Sequence, residues 1–339
     1  MQTGSSVWGL ILAAGDGKRL ESLTTPRGGA AIPKQYCSLR AGPSLLHDAL
    51  QRVLAVATPQ RTCVVVAAKH RCWWTPQLER LPAANIIVQP ENRGTALGVL
   101  LPLLHLRERD PGAHLVILPA DHHVRMESHL ARSLRTALEL LTAKPEQTLL
   151  LGVTPEGADP DLGYILPEAA RSAELALPVQ QFVEKPPVKW AGELIERGAL
   201  WNTFIIAASI PGLMQFFERR IPAIVAQMHA AVRRDAATAG AARAVAALYA
   251  RLPTMDFSRD ILPGQEASIR VVRVPACGWS DLGTPERVAR TLTCPAGDEA
   301  TSSSRRHAVA GERSHLSLAE QHARHAAEAA RVDHSARQG

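Results

Sequence analysis

The amino-acid sequence predicts an α/β protein built on a doubly wound, mainly parallel mixed sheet. The first observation is that short continuous runs of Val, Ile and Leu alternate with longer segments that have helical periodicity. Such runs are typical of strands buried on both faces, and their alternation with helices indicates βαβ units in a layered structure. The second observation is that the 339-residue chain is 46% hydrophobic but only 4% aromatic, which suits a large aliphatic core.

The first part of the chain supplies the most regular elements. Strands are predicted at 7–14, 62–68, 85–90 and 114–120. Helices are predicted at 44–56 and 95–110, and Pro102 is expected to disturb the second, because proline removes a backbone hydrogen bond inside a helix.

The second part of the chain is less regular. Its predicted strands cover 148–153, 180–186, 200–209 and 268–276, and its predicted helices cover 188–199 and 221–252. Residues 295–339 are rich in Ala, Ser, Arg and His and poor in large apolar groups. A segment of that composition buries little surface, so a disordered or loosely helical tail is predicted there.

Composition and charge argue against several classes of protein. The net charge of +6 suits a phosphorylated substrate, but no dense basic run precedes the tail, so nucleic acid is not an expected partner. The five cysteines include no C-x-x-C pair, which argues against a zinc ribbon or a redox dithiol. Because no secretory leader and no run of 18 apolar residues is seen, we expect a cytoplasmic protein that does not enter a membrane.

A glycine-rich turn, LAAGDGKRL, follows the first predicted strand. It is not a Rossmann fingerprint, because Leu20 stands where the third glycine belongs, and it is not a P-loop, because Arg19 follows the lysine. Gly15 and Gly17 would still let backbone N–H groups approach a polyphosphate, and Arg19 would grip its oxygens. The alternative is a plain strand-to-helix turn with a solvated arginine.

Two further motifs stand where predicted strands end. QPENRGTA begins at Gln89, a position from which a side chain can reach a base edge, although Asn92 and Thr95 are also ordinary helix-capping types. PADHH places Asp121 outside the carboxyl end of the fourth strand, where open α/β sheets bind ligands. A carboxylate is a hard oxygen ligand that suits Mg²⁺, whereas the adjacent histidines point in different directions and argue against zinc.

Taken together, the motifs resemble those of sugar-nucleotide pyrophosphorylases, and most closely the mannose-1-phosphate guanylyltransferase branch of that nucleotidyltransferase family. The resemblance covers residues 7–292 and rests on eight motifs in the family's order: LAAGDGKRL, PKQ, QPENRGTA, PADHH, GYI, FVEKP, WNTFI and WSDLGT. It implies a GT-A-like, Rossmann-like fold. It also implies transfer of a nucleotidyl group from an NTP, expected to be GTP, to a sugar 1-phosphate, expected to be mannose 1-phosphate. The products would be GDP-mannose and pyrophosphate, with Mg²⁺ as cofactor.

The resemblance also implies roles for matching positions. Four residues would be catalytic: Arg19 and Lys34, which would hold the phosphates, and Asp121 and Asp281, which would hold Mg²⁺. Nucleotide binding would fall to Leu12, Ala13, Gly15, Gly17, Gln89, Gly94 and Thr95. Sugar-phosphate binding would fall to Gly163, Glu184, Lys185 and Asn202. One domain would therefore cover 1–294, with a nucleotide-binding half at 1–125 and a sugar-phosphate-binding half at 126–294.

Some positions depart from the family pattern. Ala14 replaces a frequent glycine, and Asp16 puts a carboxylate into a loop that would hold a triphosphate. The segment from Asn202 to Phe204 lacks the glycine often found there. The stretch MDFSRDIL, which contains Asp256, is interpreted as mostly structural.

Two alternatives to this function stay open. One is a uridylyl- or thymidylyltransferase that acts on glucose 1-phosphate, since base choice depends on few contacts. The other is a non-catalytic nucleotide-sugar-binding regulatory subunit of the same fold. Against the latter, both metal carboxylates and both N-terminal cations are present. The oligomeric state also stays open, and a homo-oligomer is possible.

Overall fold

The computed structural model describes residues 6–293, apart from 26–28, 41, 169–173 and 239–242. The tail predicted at 295–339 lies outside the described residues. Within the described part, nine strands form one mixed sheet. They are β1 (Val7–Ala13), β2 (Thr62–Ala67), β3 (Ile86–Gln89), β4 (His114–Pro119), β5 (Thr148–Val153), β6 (Gly163–Pro167), β7 (Ala176–Glu184), β8 (Leu200–Ser209) and β9 (Ile269–Val274).

The strand order is β3-β2-β1-β4-β8-β5-β9-β7-β6. Pairing among β1, β2, β3 and β4 is parallel, as βαβ connections require. Antiparallel pairing is more frequent in the second half, where β8 runs against β4, β5 and β6. Because β6 also pairs with β8, the strands β8, β5, β9, β7 and β6 close into a ring. The predicted mixed α/β sheet is confirmed, with its parallel character concentrated in the first half.

Ten α-helices are present among the described residues. They are α1 (Glu21–Thr24), α2 (Leu45–Leu54), α3 (Arg71–Trp74), α4 (Gly94–Arg109), α5 (Glu127–Ala143), α6 (Val188–Glu196), α7 (Ile210–Arg220), α8 (Pro222–Ala237), α9 (Arg243–Tyr249) and α10 (Pro285–Thr293).

Alternate side chains of the first strands point to opposite faces of the sheet and enter two separate cores. Ile11 and Val64 join the core formed with α2, α5, α6 and α10. Leu10 and Val65 join the core formed with α4, α7, α8 and α9. Helices therefore cover both faces, as the continuous apolar runs indicate.

Several elements differ from the sequence predictions. The helix α4 continues through Pro102, because burial on all sides stabilises it despite the lost backbone hydrogen bond. The helix predicted at 221–252 is described as two helices, α8 and α9. The helix α7, which the sequence reading did not assign, starts directly after β8, where Ser209 caps its first turn. None of the described helices has the length and apolarity needed to cross a membrane.

Candidate active site

A cavity of about 320 Å³ opens at the carboxyl ends of β1, β3 and β4, which is where open α/β sheets bind ligands. Its volume falls within the usual range for small-molecule pockets. The predicted site residues that line it are Leu12, Gly15, Arg19, Gln89, Gly94, Thr95, Asp121, Gly163, Glu184, Lys185, Asn202 and Asp281. Three other predicted residues, Ala13, Gly17 and Lys34, are not among the residues that line it.

The turn after β1 is shaped by contacts with the segment that follows Pro33. The Gln35 side-chain amide donates to the carbonyls of Ala13 and Gly15 at 3.0 and 2.9 Å. Gly17 has a φ of +67°, and a Cβ there would lie 3.0 Å from the Lys34 backbone nitrogen. Ala13 and Gly17 therefore fix the shape of the loop, while Gly15 faces the cavity.

The two charged residues of this turn point to different places. Asp16 pairs with Lys69 at 2.7 Å and is not among the residues that line the cavity. Its carboxylate therefore has a cationic partner outside the space where a triphosphate would lie. Arg19 is exposed and lines the cavity, and no hydrogen bond or ion pair engages its side chain among the described residues.

Lys34 links the Asp121 carboxylate to the backbone of the segment that carries Asp281. It is buried, and its Nζ lies 2.9 Å from Asp121 Oδ2. The same nitrogen donates to the backbone carbonyls of Asp281 and Leu282 at 2.5 and 3.3 Å. An antiparallel bridge between His123 and Ser280 ties the same two segments together through the backbone. One ammonium group and one bridge thus bring Asp121 and Asp281 to the same wall of the cavity.

Both carboxylates are held in the ionised form. Burial opposes ionisation of Asp121, but Lys34 and His122 outweigh it and leave its pKa below the usual value. Burial also opposes ionisation of Asp281, and there Arg287 and His122 lower the pKa. Burial lowers the pKa of His122 itself to about 4. Its Nδ1 accepts a hydrogen bond from the Trp279 indole at 3.3 Å, which fits a neutral ring.

The donor set at this wall fits Mg²⁺. Within the described ranges, no cluster of three or more His, Cys, Asp or Glu side chains is suited to holding a metal. Mg²⁺ is commonly bound by one or two carboxylates and completes its shell with water and substrate phosphates. Two ionised carboxylates that line one cavity meet that requirement, whereas a structural zinc site needs four protein ligands.

Another wall of the cavity is formed by the start of α4 and the segment around Asp256. Gln89 is buried, and its Nε2 has no hydrogen-bond partner among the described residues. Thr95 Oγ1 accepts from the Phe257 N–H at 2.8 Å and donates to Asp256 Oδ2 at 3.2 Å. Asp256 caps the turn that follows, because its Oδ1 accepts from the backbone N–H groups of Ser258 and Arg259.

Asp256 and Ser258 also line the cavity, which the sequence reading of MDFSRDIL as mostly structural did not include. The capping contacts support the structural interpretation of this stretch. The lining position shows in addition that Asp256 and Ser258 face the cavity. The available signal was an Asp before a helical turn, which is an ordinary N-cap residue and points to no ligand.

Gly94 permits the close approach of this segment. Its φ is +84°, and a Cβ would lie 2.1 Å from the Met255 carbonyl oxygen. We therefore expect Gly94→Ala to lower the free energy of unfolding by roughly 1–3 kcal/mol, because the Met255 segment must move. Urea denaturation measures the change. Gly112→Ala is the control, since a Cβ there meets nothing within 4 Å. Equal stability of the two variants would contradict this account.

The third wall is formed by the paired strands β6 and β7 and by β8. Gly163 lies opposite Glu184 in the ladder, and a Cβ at Gly163 would come within 2.7 Å of Glu184 Oε2. The glycine therefore leaves room for the Glu184 carboxylate in the cavity. Burial, and then the neighbouring Asp256, raise the pKa of Glu184. Lys185 follows with a φ of +51°, unusual for a residue with a side chain.

The departure from the family pattern at Phe204 has a backbone consequence. Phe204 has a φ of +56°, a conformation that favours glycine. Asn202 Oδ1 accepts from the Phe204 N–H at 3.0 Å and stabilises this turn. The Phe204 ring lines the cavity and packs edge-to-face against Phe257, with ring centroids 5.7 Å apart. An aromatic ring thus occupies a wall where glycine would leave open space.

Comparison with known proteins gives consistent results. The model of the Nucleotidyl transferase family matches residues 8–292. The alginate biosynthesis protein AlgA of Pseudomonas syringae is 30% identical over 283 residues, which cover 81% of this chain and 56% of that protein. A mannose-1-phosphate guanylyltransferase of Sinorhizobium fredii is 25% identical over 282 residues, covering 82% of this chain and 53% of that protein. The chain therefore spans about half the length of the curated relatives it matches.

Solved structures agree with the match to the Nucleotidyl transferase family. A Thermus thermophilus crystal structure, described as a mannose-1-phosphate geranyltransferase, superposes with a TM-score of 0.70 at 26% identity. The match covers 86% of this chain and 80% of that one. A UDP-glucose pyrophosphorylase bound to UDP-glucose has a TM-score of 0.54 at 14% identity, which shows a shared fold.

Proposed function

Since the chain belongs to the nucleotidyl transferase family, we propose that it transfers a guanylyl group from GTP to mannose 1-phosphate and releases pyrophosphate. One observation carries the proposal: Asp121 and Asp281 lie on the same wall of a cavity that Arg19 also lines. The names of the relatives support mannose 1-phosphate and GTP among the possible pairs.

In the proposed reaction, an oxygen of the sugar phosphate attacks the α-phosphorus of the nucleotide. A new P–O bond forms, the bond to the bridging oxygen of the β-phosphate breaks, and pyrophosphate leaves with that electron pair. The attacking phosphate is already ionised, so no protein base or nucleophile is needed. Catalysis then depends on holding two anions together in line, and positioning of this kind supplies up to about 7–11 kcal/mol.

The chain's own residues divide this task. Asp121 and Asp281 would hold Mg²⁺, which supplies neutralising charge between the phosphates. Arg19 would stabilise the charge that develops on pyrophosphate, because it lines the cavity and its side chain has no partner within the described part of the chain. Lys185 would orient the attacking phosphate, and Glu184 and Asn202 would bind sugar hydroxyls. Lys34 would hold the two metal-binding segments together, in addition to the predicted contact with nucleotide phosphates.

The Gln89 amide is suited to reading the base. Its donor and acceptor complement a base edge that presents a carbonyl oxygen beside an N–H group. Guanine, uracil and thymine present that edge, and adenine and cytosine present a ring-nitrogen acceptor beside an amino group, which a side-chain amide also complements. Gln89 therefore suits base contact in general, and it is the names of the relatives that favour GTP.

A pyrophosphate-release assay tests the proposal. GTP, UTP, dTTP, ATP and CTP are each paired with mannose 1-phosphate and with glucose 1-phosphate in the presence of Mg²⁺. The highest kcat/KM is expected for GTP with mannose 1-phosphate. A preference for UTP or dTTP with glucose 1-phosphate would favour the uridylyl- or thymidylyltransferase, and turnover of no pair would favour the regulatory subunit.

Replacement of Arg19 tests the proposed role at the leaving group. We expect Arg19→Ala to lower kcat by about 10²-fold or more, as the loss of one preorganised charge contact does. Arg132→Ala is the control, since Arg132 is an exposed arginine of α5 that does not line the cavity. Steady-state kinetics separate the outcomes: a rise in KM for GTP with kcat unchanged would mean that Arg19 binds substrate and transition state equally.

A further inference from the structure

One arginine of α10 contacts three carboxylates from two segments of the chain. The Arg287 side chain is about 10% exposed, and its Nη1 donates to Asp281 Oδ1. Its Nη2 lies 3.1 Å from Asp159 Oδ1 and 3.3 Å from Asp161 Oδ2. Family resemblance gave Arg287 no role, and the mechanism above does not use it.

The first segment it holds carries a proposed metal ligand. Asp281 Oδ1 accepts both from Arg287 and from the Gly283 N–H at 3.0 Å. Leu282, which lies between Asp281 and Gly283, has a φ of +49°. The backbone of this turn is therefore strained, and contacts with surrounding residues are needed to maintain it. Among the described residues no hydrogen bond reaches Asp281 Oδ2. Arg287 therefore fixes one oxygen of the carboxylate and leaves the other available.

The second segment is the loop from 154 to 162 that joins β5 to β6. The buried Tyr164 hydroxyl donates to the Asp159 carbonyl at 3.0 Å and accepts from the Asp159 N–H at 2.8 Å. The end of this loop, Asp161 and Leu162, lines the cavity. The Leu162 carbonyl accepts from the Lys185 N–H at 3.2 Å. The loop thus connects Arg287 to the residues proposed to bind the sugar phosphate.

The ion pairs of Arg287 hold the 154–162 loop and the Asp281 turn together through charge. Three carboxylates meet one guanidinium, so removal of Arg287 would leave three like charges close together. Asp281 and Asp159 are 13% and 24% exposed, so water would screen the repulsion between these two poorly, whereas Asp161 is 49% exposed and is screened more. The loop and the Asp281 turn would then separate. Lysine would keep the charge, but a single ammonium cannot reproduce the planar fork that contacts three partners.

We propose that Arg287 is a positioning residue that fixes the Asp281 carboxylate and the 154–162 loop relative to one another. One guanidinium thereby aligns the metal-binding wall with the sugar-phosphate wall of the cavity. The inference about catalysis rests on the proposed function, whereas the structural link itself does not.

The structural link is tested by hydrogen–deuterium exchange of the full chain without ligands. Arg287→Met and Arg287→Lys are expected to raise exchange in 154–162 and 278–284, with β1 to β4 unchanged. Arg290→Met is the matched control, because Arg290 is exposed on the same helix. Unchanged exchange in both segments would overturn the proposal. If the Met variant does not fold, the Lys variant carries the test.

The catalytic consequence is tested by kinetics with GTP and mannose 1-phosphate. We expect kcat of Arg287→Lys to fall by about 10–100-fold, the usual effect of losing a partner that orients a metal ligand. KM for mannose 1-phosphate is expected to rise more than KM for GTP, since the loop adjoins the sugar-phosphate wall. Wild-type kcat and KM in the Lys variant would overturn the positioning role. An inactive wild-type chain would instead refute the proposed function, and the exchange experiment would still test Arg287.

Discussion

Replacing Asp121 or Asp281 by asparagine is expected to lower kcat by at least about 10²-fold, with the fold retained. Asparagine keeps the size and the hydrogen-bonding oxygen of each side chain but removes the charge that would bind Mg²⁺. Both carboxylates have a lowered pKa because of neighbouring cations, so both are ionised at neutral pH in the wild type. Turnover at saturating GTP and mannose 1-phosphate, measured over a Mg²⁺ titration, reports the loss.

The control for these variants is Glu139→Gln, which removes one negative charge from an exposed position on α5. It is expected to keep wild-type kcat. Circular dichroism checks that each variant is folded. A double variant, Asp121→Asn with Asp281→Asn, that turned over at nearly the wild-type rate in saturating Mg²⁺ would refute the metal assignment.

Replacing Lys34 by methionine is expected to lower both stability and turnover. The buried ammonium would be lost from Asp121 and from the carbonyls of Asp281 and Leu282, which would leave these groups unpaired. We expect the free energy of unfolding to fall by about 3 kcal/mol, the lower end for breaking a buried pair. The lower end applies because the Asp121 side chain is 36% exposed. Urea denaturation measures this change.

A double-mutant cycle identifies the cause of the Lys34 effect. If the ion pair with Asp121 is responsible, Lys34→Met combined with Asp121→Asn will be more stable than the two single changes predict by addition. If Lys34 instead acts mainly on nucleotide phosphates, Lys34→Met will unfold like the wild type and raise KM for GTP. That result would refute the proposal that Lys34 holds the Asp121 and Asp281 segments together. It would support the contact between Lys34 and nucleotide phosphates that the sequence predicts.

Much of the fold follows from local pattern, because the continuous apolar runs at β1, β2 and β4 are long and are buried on both faces. The predictions were weaker where tertiary contacts override local preference. The helix predicted at 95–110 is present as α4 and continues through Pro102, where a disturbance was expected, because it is buried all round. The helix α7 was not assigned, since it follows β8 without a loop. The ring closure through β6 depends on pairing between distant strands, which periodicity along the chain does not report.

The candidate site could also be predicted only in part from the sequence. Single motifs such as PKQ carry little information, and it is their order along the chain that indicates the family. Sequence motifs do not show which side of a wall a side chain occupies. Lys34 pairs with Asp121, Asp16 pairs with Lys69, and Asp256 lines the cavity. Each placement depends on contacts between segments far apart in sequence. Arg287 belongs to no motif, and its three contacts appear once α10 packs beside the Asp281 turn.

The most direct test of the proposed function follows the phosphorus atoms themselves. The full chain is incubated with GTP, mannose 1-phosphate and Mg²⁺, and the reaction is followed by ³¹P NMR. Our account predicts that the signals of GTP and mannose 1-phosphate decline together while those of GDP-mannose and pyrophosphate grow in equal amounts. Formation of GDP and inorganic phosphate, or no change while the protein is folded, would contradict it.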